Sequence, residues 1–192
     1  LPLKSNKGHT SFYIITGGPG VGKTTLLDEL HSRGMTVVPE IARELIKEQQ
    51  DIDGPALPWR DKKLYMELMF HRSVESFETT IQSSKGSTPI FFDRGFLDAI
   101  CYAALEGIPI DQEMKTLCEI LRYNPNVFIL PPWREIYRTD EQRKQDWNEA
   151  VFTYNKMIET YRSYQYDLVE VPKMLVQERG DFIMGFIKNN PM

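Results

Sequence analysis

The stretch Gly17-Gly18-Pro19-Gly20-Val21-Gly22-Lys23-Thr24 constrains this chain more than any other. It fits Gly-x4-Gly-Lys-[Ser/Thr], a pattern whose backbone amides cradle the phosphates of a nucleoside triphosphate. Glycines let those N–H groups turn inward, where a Cβ would block approach to the β- and γ-phosphates. Lys23 brings a compact cation to the same oxygens, and the Thr24 hydroxyl is a ligand for Mg²⁺. A helix starting near Gly22 adds the positive end of its dipole. The flanks agree with this setting. Phe12-Tyr13-Ile14-Ile15 is a β-prone apolar run of the kind found in buried parallel strands. The segment 23–33 carries leucines at 26, 27 and 30, and Gly34 stands where a helix stops.

The rest of the chain repeats that alternation. Met35–Val38, Ile90–Asp93, Val127–Leu130 and Asp167–Val171 read as further strands, three of them followed closely by proline. Helices are expected between them: one through Ile41, Ala42, Leu45 and Ile46, then 59–83, 95–105 and 111–123. Thr139 with Gln142 resembles a capping box, which starts a long helix there and carries it to Tyr164; 177–187 closes the chain. Five apolar strands separated by helices predict an α/β fold, a parallel sheet with helices on both faces. Ligands of such sheets bind beyond the carboxyl ends of the strands.

At 192 residues the chain suits one domain, with residues 1–10 as an N-terminal tail and 11–192 as the domain. A formal net charge of −4 argues against a general electrostatic grip on nucleic acid. The sequence has no apolar run of membrane-spanning length, and residues 1–10, lacking an apolar core before a small-residue cleavage site, are not expected to act as a secretory signal. Cys101 and Cys118 lack metal or redox spacing, and His9, His31 and His71 are scattered. The expectation is a cytoplasmic protein without disulfides or zinc, a monomer or small homo-oligomer.

The singled-out polar residues fall at the strand ends. Asp93 closes the third strand, where it can organise Mg²⁺ with Thr24 or cap the following helix. Arg94 can clamp a phosphate or acceptor oxygen, or pair with Asp98 four residues on. Glu40 ends the second strand, placed to align an attacking hydroxyl or to sit in a helix first turn. Arg43 and Glu44 lie within a turn of it. Arg134, Arg138 and Arg143 follow the fourth strand in a polar segment, about 131–146. That segment reads either as a lid over the transferring phosphoryl group or as a solvated charged stretch. Trp59, Trp133 and Trp147 either stack on a base or cover core edges, and Pro172 marks a place for a nucleotide base.

Four segments together carry a resemblance: Gly-Gly-Pro-Gly-Val-Gly-Lys-Thr-Thr, Val-Val-Pro-Glu-Ile-Ala-Arg-Glu, Phe-Phe-Asp-Arg-Gly-Phe-Leu-Asp-Ala and Pro-Pro-Trp-Arg-Glu-Ile-Tyr-Arg-Thr-Asp-Glu-Gln-Arg. From about residue 11 to 188 the chain resembles an AAA-type family of P-loop ATPases and kinases. That family is similar to the nicotinamide riboside kinase domain of NAD-biosynthesis regulators and, more distantly, to nucleoside and nucleotide kinases. The resemblance implies a five-stranded sheet of order 2-3-1-4-5. It implies ATP held by Gly18, Pro19, Gly20, Val21, Gly22, Lys23, Thr24 and Thr25 with Arg143, and Mg²⁺ held by Thr24 and Asp93. Lys23, Glu40, Asp93, Arg94, Arg134 and Arg138 then carry the chemistry. No sensor region or helical sensor domain of the ring-forming ATPases is found. The expected function is transfer of the γ-phosphoryl group of ATP to a nucleoside- or nucleotide-like molecule. The alternative is a regulatory nucleotide-binding module with slow hydrolysis and a protein partner.

Overall fold

The structure is a computed structural model that describes residues 10–84, 86–136 and 146–190. In chain order its elements are β1 (Phe12–Gly17), α1 (Lys23–Ser32), β2 (Thr36–Val38), α2 (Ile41–Asp51), α3 (Lys62–Ser83) and β3 (Ile90–Asp93). Then follow α4 (Phe96–Glu106), α5 (Gln112–Ile120), β4 (Asn126–Leu130), α6 (Trp147–Ser163), β5 (Asp167–Glu170) and α7 (Val176–Asn189). Among the described residues the strands form one sheet, all parallel, in the order β2-β3-β1-β4-β5.

Continuous apolar strands are buried on both faces because alternate side chains point to opposite sides. Phe12 and Ile14 of β1 face a core shared with Phe92, Phe70, Phe77 and Phe96. Tyr13 and Ile15 face the other, with Leu26, Leu27 and Leu30 of α1, Phe91, Phe128 and Ile183 of α7. The larger core is aromatic at its centre. Phe77 is fully buried, its ring centroid 4.7 Å from that of Tyr123 and 5.6 Å from that of Phe12, both edge-on. Gly95 is needed where this cluster meets the sheet, since a Cβ there would come within 2.7 Å of Ile14 Cδ1.

Two helix starts differ from the sequence reading. The helix expected from Trp59 begins at Lys62, because the Asp61 carboxylate accepts from the Leu64 N–H at 2.9 Å and fixes the cap there. The helix expected from Thr139 begins at Trp147. Its capping box is formed by Asp146 and Glu149, with Glu149 N–H donating to Asp146 at 2.9 Å and Asp146 N–H donating to Glu149 at 2.8 Å. Thr139 and Gln142 lie outside the described residues.

The order β3-β1-β4 leaves a crevice at the carboxyl end of β1, since the chain leaves β1 toward one side and later returns on the other. Gly17, Asp93 and Leu130 end their strands there. The aromatic core beneath that crevice makes a direct expectation. Phe77→Ala should lower the unfolding free energy in urea by about 3–5 kcal/mol. An unchanged midpoint would show that this cluster does not hold the fold.

Candidate active site

The phosphate loop is built for an anion by what it lacks as well as by what it holds. Gly22, the residue before α1, adopts φ 79°, a left-handed conformation that favours glycine. No side chain caps α1 and no acid occupies its first turn. The amides at that end therefore keep their donor capacity and the helix keeps its positive end uncompensated. Gly17 permits close passage of β4, because a Cβ on it would lie 2.9 Å from the Leu130 carbonyl oxygen.

Lys23, at the head of α1, is only 6% exposed and bonds directly to Asp93 at the end of β3. Glu40 Oε2, preceding α2, lies 3.7 Å from the same Nζ. Glu40 also accepts from Arg94 Nε at 2.7 Å and pairs with Arg43 Nε at 3.0 Å. Burial pushes the Lys23 pKa down, with the Arg94 cation adding to it, against the pull of Glu40 and Asp93. Burial would raise Glu40, but Arg94, Lys23 and Arg43 outweigh it and hold the carboxyl below its ordinary value. Asp93 goes the other way: burial raises it, and Lys23 offsets only part of that rise. For Arg94 burial opposes the charge, yet Glu40, Asp98 and Asp93 hold the guanidinium protonated more firmly than usual.

Asp93 does not cap α4, since Gly95 precedes that helix with its N–H donating to Asp98 at 2.9 Å. Glu40 occupies the N-cap position of α2 but makes no side-chain cap bond there. At Arg94 the pair with Asp98 is present, and the same guanidinium also binds Glu40. Arg94 has φ 71°, a left-handed conformation that costs a non-glycine residue roughly 1 kcal/mol or more. Its N–H donates to Ile15 O at 3.0 Å, which ties that strained residue to β1.

Asp98 was legible only as a partner for Arg94, yet it is the hub beneath the site. Buried in α4, it accepts from Thr16 Oγ1 and Tyr161 OH at 2.6 Å each, from Gly95 N at 2.9 Å and from Arg94 Nη1 at 3.1 Å. Four donors from β1, α6, the β3–α4 turn and Arg94 satisfy one buried carboxylate.

Lys23, Glu40 and Arg94 line one cleft of about 1600 Å³ together with the rest of the loop from Gly18 to Thr25. Arg43, Ile46, Lys47, Pro58, Trp59 and Tyr65 form its α2–α3 side. Trp133, Ile136, Met174, Leu175, Val176 and Arg179 form the side beyond β4 and β5. Asp93 reaches the cleft through its bond to Lys23. Arg134 does not line the cleft; it is exposed, with its Cζ 5.4 Å from the Trp147 ring centroid. Arg138 and Arg143 lie outside the described residues. Glu44 is exposed and Pro172 half-buried, and neither lines the cleft; after β5 the lining is made by Met174 to Val176 instead of Pro172. Trp59 is 60% exposed in the cleft wall and covers no core edge. Tyr65, Tyr161 and Arg179 gave no signal in sequence, because each sits at an ordinary position of an amphipathic helix. Among the described residues no His/Cys/Asp/Glu cluster suits a metal ion, and no helix is long and apolar enough to cross a membrane.

A parallel sheet of this order, a phosphate loop between β1 and α1, and an acid closing β3 against the loop lysine define a P-loop nucleotide-binding protein with a kinase-type fold. The chain belongs to a family described as AAA domain, whose model matches residues 12–179. No curated protein matches it. Solved structures share its fold at low identity. A deoxyadenosine kinase from M. mycoides with bound dATP has TM-score 0.60 and 18% identity, over 93% of this chain and 99% of that one. The NadR protein in complex with NR has TM-score 0.68 and 15% identity, over 94% of this chain and 51% of NadR, so this chain spans about half of that relative. Thymidylate kinase from Candida albicans has TM-score 0.60 and 14% identity, over 94% of this chain and 92% of that one.

The ion pairs on Glu40 set a pH expectation. A carboxylate whose pKa is depressed on folding contributes stability above its unfolded value, and loses it as pH falls through the folded one. The stability advantage of the wild type over Glu40→Gln should therefore be flat near neutrality and shrink below the ordinary value of 4.5. An advantage that persists undiminished in urea titrations down to about pH 3 would contradict the ion-pair assignment.

Proposed function

We propose that this chain is an ATP- and Mg²⁺-dependent kinase that transfers the γ-phosphoryl group to a nucleoside- or nucleotide-like acceptor. One observation carries the reading. An acid before α2 and a strained arginine after β3 meet at the phosphate-loop lysine, Glu40 touching both Lys23 and Arg94. A protein that only holds a nucleotide has no use for a carboxylate and a second cation at that point. The kinases among its structural neighbours support the same class.

In this reading the loop amides and Lys23 hold the polyphosphate, and the acceptor enters from the side of Pro58, Trp59 and Tyr65. The exposed Trp59 face offers a platform for a planar ring. Transfer forms a bond between the acceptor oxygen and the γ-phosphorus while the bond to the β,γ-bridging oxygen breaks. Negative charge then spreads over the equatorial oxygens, where Lys23 and Arg94 neutralise it. Three cations hold Glu40 ionised and weakly basic, so its contribution is to fix the acceptor hydroxyl by accepting its hydrogen bond. The hydroxyl proton passes late to the Glu40 carboxylate, and from it to solvent. This suits a loose transition state, in which the hydroxyl turns acidic only as its bond to phosphorus forms.

The Thr24 hydroxyl and the Asp93 carboxylate are hard oxygen donors suited to Mg²⁺. Asp93 is buried at the end of β3 and held by Lys23, and a further cation beside it would offset the burial that pushes its pKa up. When bound, the ion would supply charge neutralisation at the β- and γ-oxygens.

The test is isotope transfer from γ-labelled ATP to a panel of nucleosides and nucleotides. Labelled product with one acceptor is expected. Phosphate release without labelled product from any of them would point to the hydrolytic, regulatory alternative. Glu40→Gln should keep nucleotide affinity and lose transfer by on the order of 10²-fold. Unchanged turnover would remove Glu40 from the mechanism. Lys23→Ala should lose nucleotide binding or turnover, and wild-type behaviour in both would refute the site.

A further inference from the structure

Arg179, in the first turn of α7, is a buried cation without a counter-charge among the described residues. Only 5% exposed, it makes no ion pair among the described residues, and its Nε has no hydrogen-bond partner. Among the described residues its one acceptor is the carbonyl oxygen of Gly22, at the limiting distance of 3.5 Å from Nη1. Its Cζ lies 5.6 Å from the Trp133 ring centroid. The contrast with Arg94 is direct: that guanidinium holds two carboxylates. Burial alone lowers the Arg179 pKa, with no acid acting against it. A desolvated guanidinium is costly to keep, and proteins ordinarily pair it.

Its position is fixed by contacts other than its own. Arg33, at the C-cap of α1, donates to Asp181 at 2.6 Å and to the Gln177 carbonyl at 2.8 Å, clamping α7 against α1. Gly180 lets that clamp close, since a Cβ there would lie 2.9 Å from Arg33 Cζ. Arg179 is thereby pressed onto the loop: a Cβ built on Gly22 would stand 3.1 Å from Arg179 Nη1. The same cleft wall carries Gly22, Lys23, Thr24 and Thr25.

We infer that Arg179 is a phosphate ligand of the bound nucleotide, a second cation of the loop supplied by the last helix, whose missing counter-charge is the polyphosphate. This rests on the nucleotide-binding reading of the cleft. A guanidinium gives phosphate oxygens a planar, two-pronged set of donors that a lysine does not. Rigid placement by Arg33 means little order is lost when the ligand arrives.

The experiment compares wild type, Arg179→Met and Arg179→Lys by thermal melting and by calorimetric titration with Mg·ATP and Mg·tripolyphosphate. Without ligand, Arg179→Met should melt no lower than wild type, because it removes an unpaired charge. Its Kd for both ligands should rise roughly 10–100-fold, with Arg179→Lys between the two. Unchanged affinity in Arg179→Met overturns the inference. So does a ligand-free melting temperature that drops steeply while affinity holds, the mark of a purely structural arginine. Weakened ATP binding with unchanged tripolyphosphate binding also overturns it, by placing Arg179 at the base or ribose. If wild type itself binds neither ligand, the underlying reading of the cleft fails, which is seen before any variant is compared.

Discussion

The buried ammonium of Lys23, held between Asp93 and Glu40, is the interaction on which the site depends. It joins the head of α1 to the ends of two strands that lie side by side in the sheet, β3 and β2. An amine taken so far from water needs those acids to stay charged, and the acids need it in return. The arrangement places loop, acid and second strand within reach of one bound group. Sheet order makes it possible, since β3 neighbours β1 on one side and β2 on the other.

Around that pair the protein spends stability on geometry. Arg94 stands in a left-handed conformation and is restrained by Glu40, Asp98 and the Ile15 carbonyl. Asp98 in turn is fixed by donors from β1 and α6. The guanidinium at the mouth of the site is thus aimed by a chain of hydrogen bonds that reaches across the core to Tyr161. Strain and buried polar groups of this kind persist where the surroundings over-determine them. Arg179 extends the pattern with a cation beside the loop that has no ion pair among the described residues.

The fold was legible because its signals are local. Runs such as Ile14-Ile15 and Phe91-Phe92 mark strands buried on both faces, and the glycine loop fixes where the first strand ends. The helix starts at 62 and 147 were missed for an equally local reason: Asp61 and Asp146 are one of several capping patterns nearby, and sequence does not rank them. Within the site, Glu40, Asp93 and Arg94 were visible because strand ends expose polar residues at a known rim. Asp98 and Arg179 were not, since each lies on a helix where a charged residue reads as a solvated face. Only the packing of α4 under β1, and of α7 against α1, turns them inward. Arg134 shows the reverse case, a residue suggestive in sequence whose guanidinium stacks at Trp147 outside the cleft lining.

A crystal structure with Mg²⁺ and a non-hydrolysable ATP analogue tests the central claim most directly. The account predicts the triphosphate wrapped by the amides of residues 18–25, with Lys23 Nζ moved off Asp93 onto the phosphate oxygens and Glu40 and Arg94 facing the terminal phosphate. A triphosphate bound elsewhere, or a Lys23 that keeps both acids while the ligand sits in the loop, would contradict it.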